Sequence, residues 1–222
     1  VYKRQSILKD EVTIGLDTSG VSLHKRGYRK LTAKAPITET LAAALIMLTP
    51  WKGDRILVDP FCGSGTFPIE AAMMAADIAP GLNRSFLAEQ WTHLVPKKCW
   101  MDAAEDARYR IRNDIETDIQ GFDIDGDVIK SARENAKLAG VEKRCHFEVA
   151  DVADFAAKPE AIVLTNPPYG ERMNTIEGAA KLACTLGQQM AEHPCAGLYA
   201  ITADMEFESH YGKRANKRRK MY

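Results

Sequence analysis

The chain has 222 residues, of which 45% are hydrophobic and 27% are charged, and its formal net charge at pH 7 is zero. This length suits one ordinary globular domain, or one domain with a small appendage. The longest apolar stretch, residues 41–48, is too short to cross a bilayer, and residues 1–10 lack the apolar core of a secretory signal. Composition therefore excludes a membrane-spanning protein, and the balanced charge argues neither for nor against a nucleic-acid partner.

The first predicted element is a strand at residues 12–16, where apolar and polar residues alternate. A helix over residues 38–48 follows, with Thr38 as its predicted N-cap. A buried strand at residues 55–59 then runs through a glycine-rich turn into a long helix, residues 67–79, which the next two residues, Pro and Gly, are expected to stop.

The second half of the chain continues this alternation. After an irregular segment at residues 82–100, the predicted elements are a helix at 102–112, a strand at 119–123, a helix at 128–139, strands at 145–149 and 161–165, a helix at 177–192, a strand at 197–202, and the possible start of a further strand in the final K-R-R-K-M-Y. Strands that alternate with helices imply a parallel sheet with helices on both faces, so we predict an α/β fold.

The turn D-P-F-C-G-S-G-T, residues 59–66, is the first of four distinctive strand ends. In open α/β sheets, ligands bind beyond the carboxyl ends of the strands, so we expect all four ends at one edge. Gly63 and Gly65 permit a tight turn and a close approach of the backbone to a ligand. The turn lacks the Lys-Ser/Thr of a P-loop and the G-x-G-x-x-G spacing, which disfavours a triphosphate and, slightly less, a dinucleotide. A tight turn without any ligand is the alternative.

The second strand end is F-D-I-D, residues 122–125. Asp123 is well placed to accept hydrogen bonds from two ribose hydroxyl groups, and Ile124 to pack on an adenine ring. Capping of the next helix is the alternative role for Asp123. For Asp125, capping of that helix is the preferred interpretation.

The third strand end is Asp151, whose carboxylate is a candidate acceptor for the amino group of adenine, with the Val152 backbone amide reaching a ring nitrogen. An Asx-turn is an equally good interpretation of Asp151. The three ends together describe an adenosine pocket without a phosphate site. This combination fits S-adenosylmethionine better than NAD or ATP.

The fourth strand end, T-N-P-P-Y-G-E-R at residues 165–172, has two adjacent prolines, which exclude a helix interior and a paired central strand. A simple turn is one interpretation. In the other, the Asn166 side-chain oxygen and the Pro167 carbonyl accept both N–H bonds of an exocyclic amine and turn its lone pair toward an incoming methyl group. Tyr169 then stacks on the base. Such a site requires neither a strong general base nor a metal.

These motifs carry a family resemblance. D-P-F-C-G-S-G-T-F-P-I-E-A-A, G-F-D-I-D and T-N-P-P-Y-G-E-R resemble class I S-adenosylmethionine-dependent amino-methyltransferases. More narrowly, they resemble the RNA methylases that carry an N-terminal THUMP domain and make N2-methylguanosine in 23S ribosomal RNA or tRNA. D-T-S-G-V-S-L-H-K-R-G-Y-R and A-P-I-T-E-T-L-A-A-A-L look like the segment that follows THUMP in that family. N-P-P-Y alone is shared with DNA adenine and protein glutamine methyltransferases.

The resemblance implies a Rossmann-like fold with a mostly parallel, twisted sheet. It also implies cofactor contacts, which together with Val152 form the predicted cofactor set: Thr38, Glu39, Asp59, Phe61, Gly63, Gly65, Asp123, Ile124, Asp151, Val152 and Asn166. Asn166, Pro167 and Tyr169 are the implied catalytic residues. Residues 1–30 are expected to be a linker or remnant after a missing THUMP-type RNA-binding domain, and residues 31–222 a methyltransferase domain without its last strand.

The five cysteines are odd in number, widely spaced and without a C-x-x-C pair. No histidine lies at metal-ligand spacing from a second ligand, so we expect no metal site and free thiols in a reducing cytoplasm. Because Val1 is not an initiator methionine, we also expect the chain to be a fragment of a longer protein.

The resulting functional hypothesis is S-adenosylmethionine-dependent methylation of guanine N2 in RNA, with 23S ribosomal RNA preferred. Two basic clusters, residues 24–30 and 212–220, favour phosphate binding, although either cluster alone is equally well a solvated face. The alternatives are adenine-N6 methylation of DNA or RNA, guanine-N2 methylation of tRNA, methylation of a protein glutamine, and a non-catalytic RNA-binding module. The sequence does not predict the oligomeric state.

Overall fold

The computed structural model describes residues 3–29, 37–169 and 176–221. Its strands are β1 Lys3–Leu8, β2 Glu11–Leu16, β3 Leu57–Asp59, β4 Ile119–Asp123, β5 His146–Val149, β6 Ile162–Thr165 and β7 Gly197–Ala200. Its helices are α1 Glu39–Leu48, α2 Thr66–Ala75, α3 Lys97–Tyr109, α4 Gly126–Leu138, α5 Ile176–Glu192 and α6 Phe207–Tyr211. Short 3-10 helices span Leu87–Gln90 and Val152–Asp154.

The central sheet contains five parallel strands in the order β5-β4-β3-β6-β7. The chain moves outward from β3 through β4 to β5 and then returns to pair β6 with the other side of β3. The strand order therefore reverses between β3 and β6, which opens a crevice at their carboxyl ends. The predicted α/β class and Rossmann-like topology are confirmed.

Helices cover both faces of this sheet, as predicted. On one face, α1, α2 and α4 bury the larger core, whose members include Ile46, Phe67, Ile129, Leu57 and Phe147. On the other face, α5 packs over alternate residues of the same strands, including Val58 and Val163. The alternation of side chains along β3 and β6 thus supplies both cores.

Several element boundaries differ from the predicted ones for local reasons. The helix α2 ends at Ala75 rather than near residue 79, because Asp77 adopts a left-handed backbone conformation (φ 54°) and the Ile78 amide bonds back to the Met73 carbonyl at 2.9 Å. The helix α3 begins at Lys97, directly after a proline, rather than at residue 102. In the described part of the C-terminal segment, up to residue 221, no strand follows α6.

The N-terminal segment contains an antiparallel hairpin of β1 and β2. One face of it presents Ile7, Val12, Ile14 and Leu16, whose exposed fractions are 76%, 61%, 68% and 59%. The part that follows the hairpin is packed on the domain, since the Ala88 amide donates to the Thr18 carbonyl at 3.0 Å. The part of residues 1–30 that follows the hairpin therefore makes hydrogen bonds with the rest of the domain.

Two arginines of the described part of the first basic cluster, residues 24–29, are turned toward the interior of the domain, whereas Lys25 is exposed. Tyr28 is buried and its hydroxyl donates to Glu70 at 3.0 Å, while Arg26 lies 3.4 Å from the same carboxylate. Arg29 Nε lies 3.4 Å from Glu39. Both arginines thus neutralise carboxylates that burial would otherwise destabilise. This internal use of the charge was not among the predicted interpretations.

The backbone at Gly65 gives a testable requirement of the fold. Gly65 has φ +85°, and an added Cβ would lie 2.9 Å from the Phe147 ring and 3.1 Å from Ala132. Gly140 is a matched control, because it has φ +74° but open space around a Cβ. We expect Gly140→Ala to lower the free energy of unfolding by about 1 kcal/mol and Gly65→Ala by at least about 2 kcal/mol, measured by urea unfolding. Equal losses would contradict the packing assigned to Gly65.

Candidate functional site

Three predicted strand ends meet at the carboxyl edge of the sheet. β3 ends at Asp59, its neighbour β4 at Asp123, and its other neighbour β6 at Thr165. Because these strands are parallel and adjacent, the turns that follow them lie side by side across the crevice. The predicted cofactor and catalytic residues that follow β3, β4 and β6 are therefore brought to one edge.

The two glycines of the first turn have different roles. Gly63 has φ +54°, and nothing lies within 4 Å of the position of a Cβ, so this side of the turn is open to a ligand. Gly65 instead provides the close contact with Phe147 and forms the left-handed N-cap of α2. Only Gly63 has the surroundings expected of a residue that a ligand approaches closely.

Two carboxylates fix the glycine turn to the sheet. Asp59 Oδ1 accepts the Phe61 amide at 3.1 Å, and Asp123 Oδ2 accepts the Gly63 amide at 3.0 Å. The other oxygen of Asp123 accepts the Asp125 amide at 3.1 Å. Asp123 thus supports the turn and does not cap α4. Its pKa is raised, mainly by burial, with opposing contributions from these backbone hydrogen bonds.

Asp59 lies beneath the turn, with only 1% of its surface exposed. Its Oδ1 also accepts a hydrogen bond of 2.7 Å from the Thr165 hydroxyl. Burial raises the pKa of Asp59 to about 7. The hydrogen bonds from Thr165 and Phe61 act to lower this pKa, and the nearby Asp123 carboxylate acts to raise it. A direct contact between the Asp59 carboxyl group and a ligand has no support in this geometry.

Around the second and third strand ends, the predicted adenine contacts occupy distinct positions. Ile124, 69% exposed, presents a large apolar side chain to solvent at the end of β4. Asp125 caps α4, as predicted, by accepting the Asp127 amide at 2.8 Å. Asp151 Oδ1 accepts the Ala153 amide at 2.9 Å, which confirms the Asx-turn, and Val152 is buried. Contacts of these residues with adenine stay a prediction.

The fourth strand end holds an acceptor that has no donor. Asn166 Oδ1 is buried, and none of the described residues donates a hydrogen bond to it. Pro167 is buried and Tyr169 is partly buried beside it. The last three residues of the predicted motif, 170–172, lie outside the described residues. An orphaned acceptor at a strand end is the kind of group that a ligand donor satisfies.

Thr38 and Glu39 begin α1 near the start of α2. Glu39 is 3% exposed, and its Oε1 lies 3.4 Å from Arg29 Nε. Arg29 Nη2 in turn donates to Thr66 Oγ1 at 2.6 Å, which ties α1 to the first residue of α2. Glu39 Oε2 is buried without a hydrogen-bond donor among the described residues, so it is a second unsatisfied acceptor.

A cavity of about 250 Å³ lies on the α5 side of the sheet, between β3, β4 and the segment after Asp151. Its walls include Asp151, Val152, Phe155 and Lys158. Only Asp151 and Val152 among its lining residues belong to the predicted cofactor set, so this cavity does not coincide with the predicted site.

The thiol of Cys62 lies beside the two carboxylates of the turn. Burial raises the pKa of the Cys62 thiol well above its usual range, and the nearby Asp59 and Asp123 raise it further. A neutral, buried thiol is a packing group rather than a nucleophile. Within the described residues there is no cluster of three metal-ligating side chains, and no helix there is long and apolar enough to span a bilayer.

Three residues of the site, Thr165, Arg29 and Phe147, are not predicted by the sequence patterns. Phe147 was predicted as a strand residue, but its position under Gly65 depends on a contact between distant elements. Thr165 is the first residue of the motif T-N-P-P-Y-G-E-R, but the motif predicts no function for its side chain. Its position as the last residue of a buried strand, directly before the turn, was the one available signal.

The raised pKa of Asp59 predicts how stability depends on pH. The folded protein keeps a proton on Asp59 up to about pH 7, whereas the unfolded chain releases it near the reference value of 3.8. The difference in free energy of unfolding between the wild type and Asp59→Asn should therefore depend on pH. As the pH rises from 3.8 to about 7, the wild type should lose about 1 kcal/mol per pH unit relative to the variant, and above about pH 7 the difference should stay constant. Chemical unfolding at several pH values measures this difference. A constant difference, or one that rises with pH, would contradict the burial of Asp59.

Comparisons with known proteins agree with this geometry. The family UPF0020, described as an RMKL-like methyltransferase domain, matches residues 26–222. "Putative RNA methyltransferase YpsC" of Bacillus subtilis is 42% identical over 218 residues, which are 98% of this chain and 56% of that protein. "Ribosomal RNA large subunit methyltransferase K/L" of Syntrophotalea carbinolica is 39% identical over 226 residues, 96% of this chain and 32% of that protein. The chain thus spans about half or less of these relatives.

Solved structures show the same fold. A "predicted N6-adenine-specific DNA methylase" from Listeria monocytogenes superposes with a TM-score of 0.92 at 45% identity, covering 99% of this chain and 58% of that one. "SMU.472, a putative methyltransferase complexed with SAH" gives a TM-score of 0.90 at 40% identity, with coverage of 99% and 58%. Since the family profile matches most of the chain, the protein belongs to the UPF0020 family of RMKL-like methyltransferase domains.

Proposed function

We propose that this domain transfers a methyl group from S-adenosylmethionine to the N2 amine of a guanine in RNA, with ribosomal RNA as the preferred substrate. The observation that carries the proposal is the buried Oδ1 of Asn166 at the carboxyl end of β6, which accepts no hydrogen bond from any residue that the structure describes. It lies after a strand adjacent to the one that ends in the open glycine turn. Cofactor and amine are thereby assigned to neighbouring turns of one crevice.

The strand ends fit S-adenosylmethionine, whose sulfonium group supplies the methyl in such reactions. The open side of Gly63 gives room for close approach of a ligand to the backbone. The Asp123 carboxylate at the end of β4 supplies acceptors for ribose hydroxyls, and the exposed Ile124 supplies an apolar surface for the adenine. Glu39 Oε2 is a buried acceptor that suits a ligand amino group. The complex of SMU.472 with SAH supports this choice of cofactor.

The described residues suit methylation of an amine because they offer acceptors rather than a base. The lone pair of an exocyclic amine is delocalised into the ring, so the nitrogen is a weak nucleophile. Asn166 Oδ1 and the Pro167 carbonyl, as acceptors for the two N–H bonds, would hold the nitrogen toward the cofactor and stabilise the positive charge that develops on it. The proline pair restricts the backbone that carries these acceptors. Tyr169 is assigned to stacking on the base.

Guanine N2 and adenine N6 both present an NH2 group, so the acceptor pair cannot separate them. The resemblance of the motifs to guanine-N2 methylases and the K/L name of one relative favour guanine in ribosomal RNA. The name of the Listeria protein favours adenine in DNA, which keeps adenine-N6 methylation as the second candidate. Methylation of tRNA guanine uses the same chemistry on another RNA.

The exposed C-terminal basic segment, residues 212–221, is the surface we assign to RNA phosphates. Arg218 in this segment is paired with Glu208. All residues of the segment are exposed to solvent. In the other basic cluster, Arg26 and Arg29 are engaged with Glu70 and Glu39 inside the domain. Charge available for a polyanion is therefore concentrated at the C-terminal segment.

We expect Asn166→Ala to lower the rate of methyl transfer to RNA by roughly two orders of magnitude or more, because the amine loses its acceptor. Transfer of labelled methyl from S-adenosylmethionine to ribosomal RNA from cells lacking the enzyme measures this rate. The control is Asn113→Ala, an exposed asparagine on a loop after α3. Both variants should unfold at the temperature of the wild type.

Nucleoside analysis of the labelled RNA from the same assay identifies the base. N2-methylguanosine is the product expected for the wild type, and N6-methyladenosine would replace the proposal by its second candidate. Undiminished transfer by Asn166→Ala would rule out the acceptor mechanism on any base.

We expect a variant with Lys213, Arg214, Lys217 and Arg219 changed to Gln to bind RNA with a weaker salt dependence. If each side chain neutralises one phosphate, the slope of log K against log salt should decrease in magnitude by about 3. Binding of 23S ribosomal RNA at several salt concentrations measures the slope. A control with Lys97, Lys98, Lys137 and Lys143 changed to Gln removes the same charge from exposed positions elsewhere and should alter the slope much less. Equal changes in both variants would show that only net charge matters.

A further inference from the structure

We propose that Thr165 is a positioning residue, whose hydrogen bond to Asp59 holds Asn166 at a fixed place relative to the cofactor turn. The proposal rests on the proposed function for its catalytic consequence, but its structural part stands without it. Thr165 and Asp59 are 106 positions apart in the chain and meet at the crevice where the strand order reverses.

The backbone pairing of β3 with β6 ends before the contact between Asp59 and Thr165. β3 and β6 are paired at Leu57–Ile162 and Val58–Val163, and the pairing recorded among the described residues stops there. Asp59 instead pairs with Gly121 of β4, and Thr165 with Ala200 of β7. The end of β3 thus stays paired with β4 and the end of β6 with β7. At these ends no backbone pairing joins β3 to β6 across the crevice.

One oxygen atom joins the two sides of the crevice. Asp59 Oδ1 accepts the Thr165 hydroxyl at 2.7 Å and the Phe61 amide at 3.1 Å. Phe61 belongs to the cofactor turn, and Thr165 is followed directly by Asn166. The distance between the turn and the amine acceptor is therefore set through a single carboxyl group.

The bridge between Thr165 and Asp59 is shielded from water. Thr165 is fully buried and Asp59 is 1% exposed. A hydrogen bond in such surroundings has no competing water, and removal of the Thr165 hydroxyl leaves the buried Asp59 Oδ1 with the Phe61 amide as its remaining donor among the described residues. The bridge therefore resists the small displacements that a catalytic acceptor does not tolerate, since a shift of about 1 Å can cost a hundredfold in rate.

The variants that test the bridge are Thr165→Val, which removes the hydroxyl and keeps the branched shape, and Thr165→Ser, which keeps the hydroxyl. If Thr165→Val does not fold, Thr165→Ala removes the same donor without placing a new methyl group against Asp59. Thr117→Val is the matched control, because the Thr117 hydroxyl also donates at 2.7 Å, to the Arg144 carbonyl, away from the carboxyl edge of the sheet.

Steady-state methyl transfer gives the first readout. For Thr165→Val we expect kcat to fall by about tenfold or more while KM for S-adenosylmethionine stays within about threefold of the wild type, because the bond from the Gly63 amide to Asp123 still fixes the cofactor turn, whereas Asn166 loses its link through Thr165. Thr165→Ser should restore kcat to within about threefold. A kcat for Thr165→Val equal to that of Thr117→Val, or no rescue by Ser, would overturn the proposal.

Hydrogen exchange of the Phe61 amide gives a second readout that needs no activity. Loss of the bridge should speed this exchange by about fivefold in Thr165→Val, with Thr165→Ser and Thr117→Val unchanged. If the wild type transfers no methyl group to RNA, the proposed function fails, and the exchange result alone decides the bridge. Unchanged Phe61 exchange in Thr165→Val would overturn it.

Discussion

A single buried carboxyl group, that of Asp59, lies where the strand order of the sheet reverses, between β3 and β6. Beyond Val58 and Val163 the backbones of β3 and β6 no longer pair, and the strands continue on either side of a crevice. Asp59 spans that crevice by accepting both the Thr165 hydroxyl and an amide of the glycine turn. Both turns of the proposed active site depend on this contact, since one presents Gly63 and the other presents Asn166. Burial raises the pKa of Asp59, so the ionised carboxylate lowers the stability of the fold at the centre of the site.

Two buried ion pairs connect the N-terminal segment to the helices α1 and α2. Arg26 and Arg29, from a segment that the sequence presents as a basic cluster, lie against Glu70 and Glu39 and fasten the N-terminal segment to α2 and α1. Removal of either arginine would leave a buried carboxylate without its positively charged partner, which is more costly than loss of a surface ion pair. Within the described part of the chain, the other oxygen of Glu39 has no donor, so structural support and a candidate ligand contact occur in one side chain.

Sequence patterns predicted the features that depend on neighbouring residues. The strand at residues 119–123 and the N-cap at Asp125 follow from a local apolar run and a local carboxylate, and both are confirmed. The features that were missed depend on distant residues or on one unusual backbone angle. The bridge from Thr165 to Asp59 joins two strands that are far apart in the chain, and the early end of α2 results from the left-handed conformation of Asp77. The roles of Asn166, Asp123 and Gly63 toward a ligand rest on a joint pattern of strand ends, which the fold brings to one edge.

The central claim is that the cofactor lies across the carboxyl ends of β3, β4 and β6. A crystal structure of the protein with S-adenosylhomocysteine tests it most directly. The account predicts ribose hydroxyls within hydrogen-bond distance of Asp123, the adenine against Ile124, and the ligand beside the open face of Gly63, with the Asp59–Thr165 contact preserved. Binding in the cavity of about 250 Å³ lined by Phe155 and Lys158, away from Gly63 and Asn166, would contradict it.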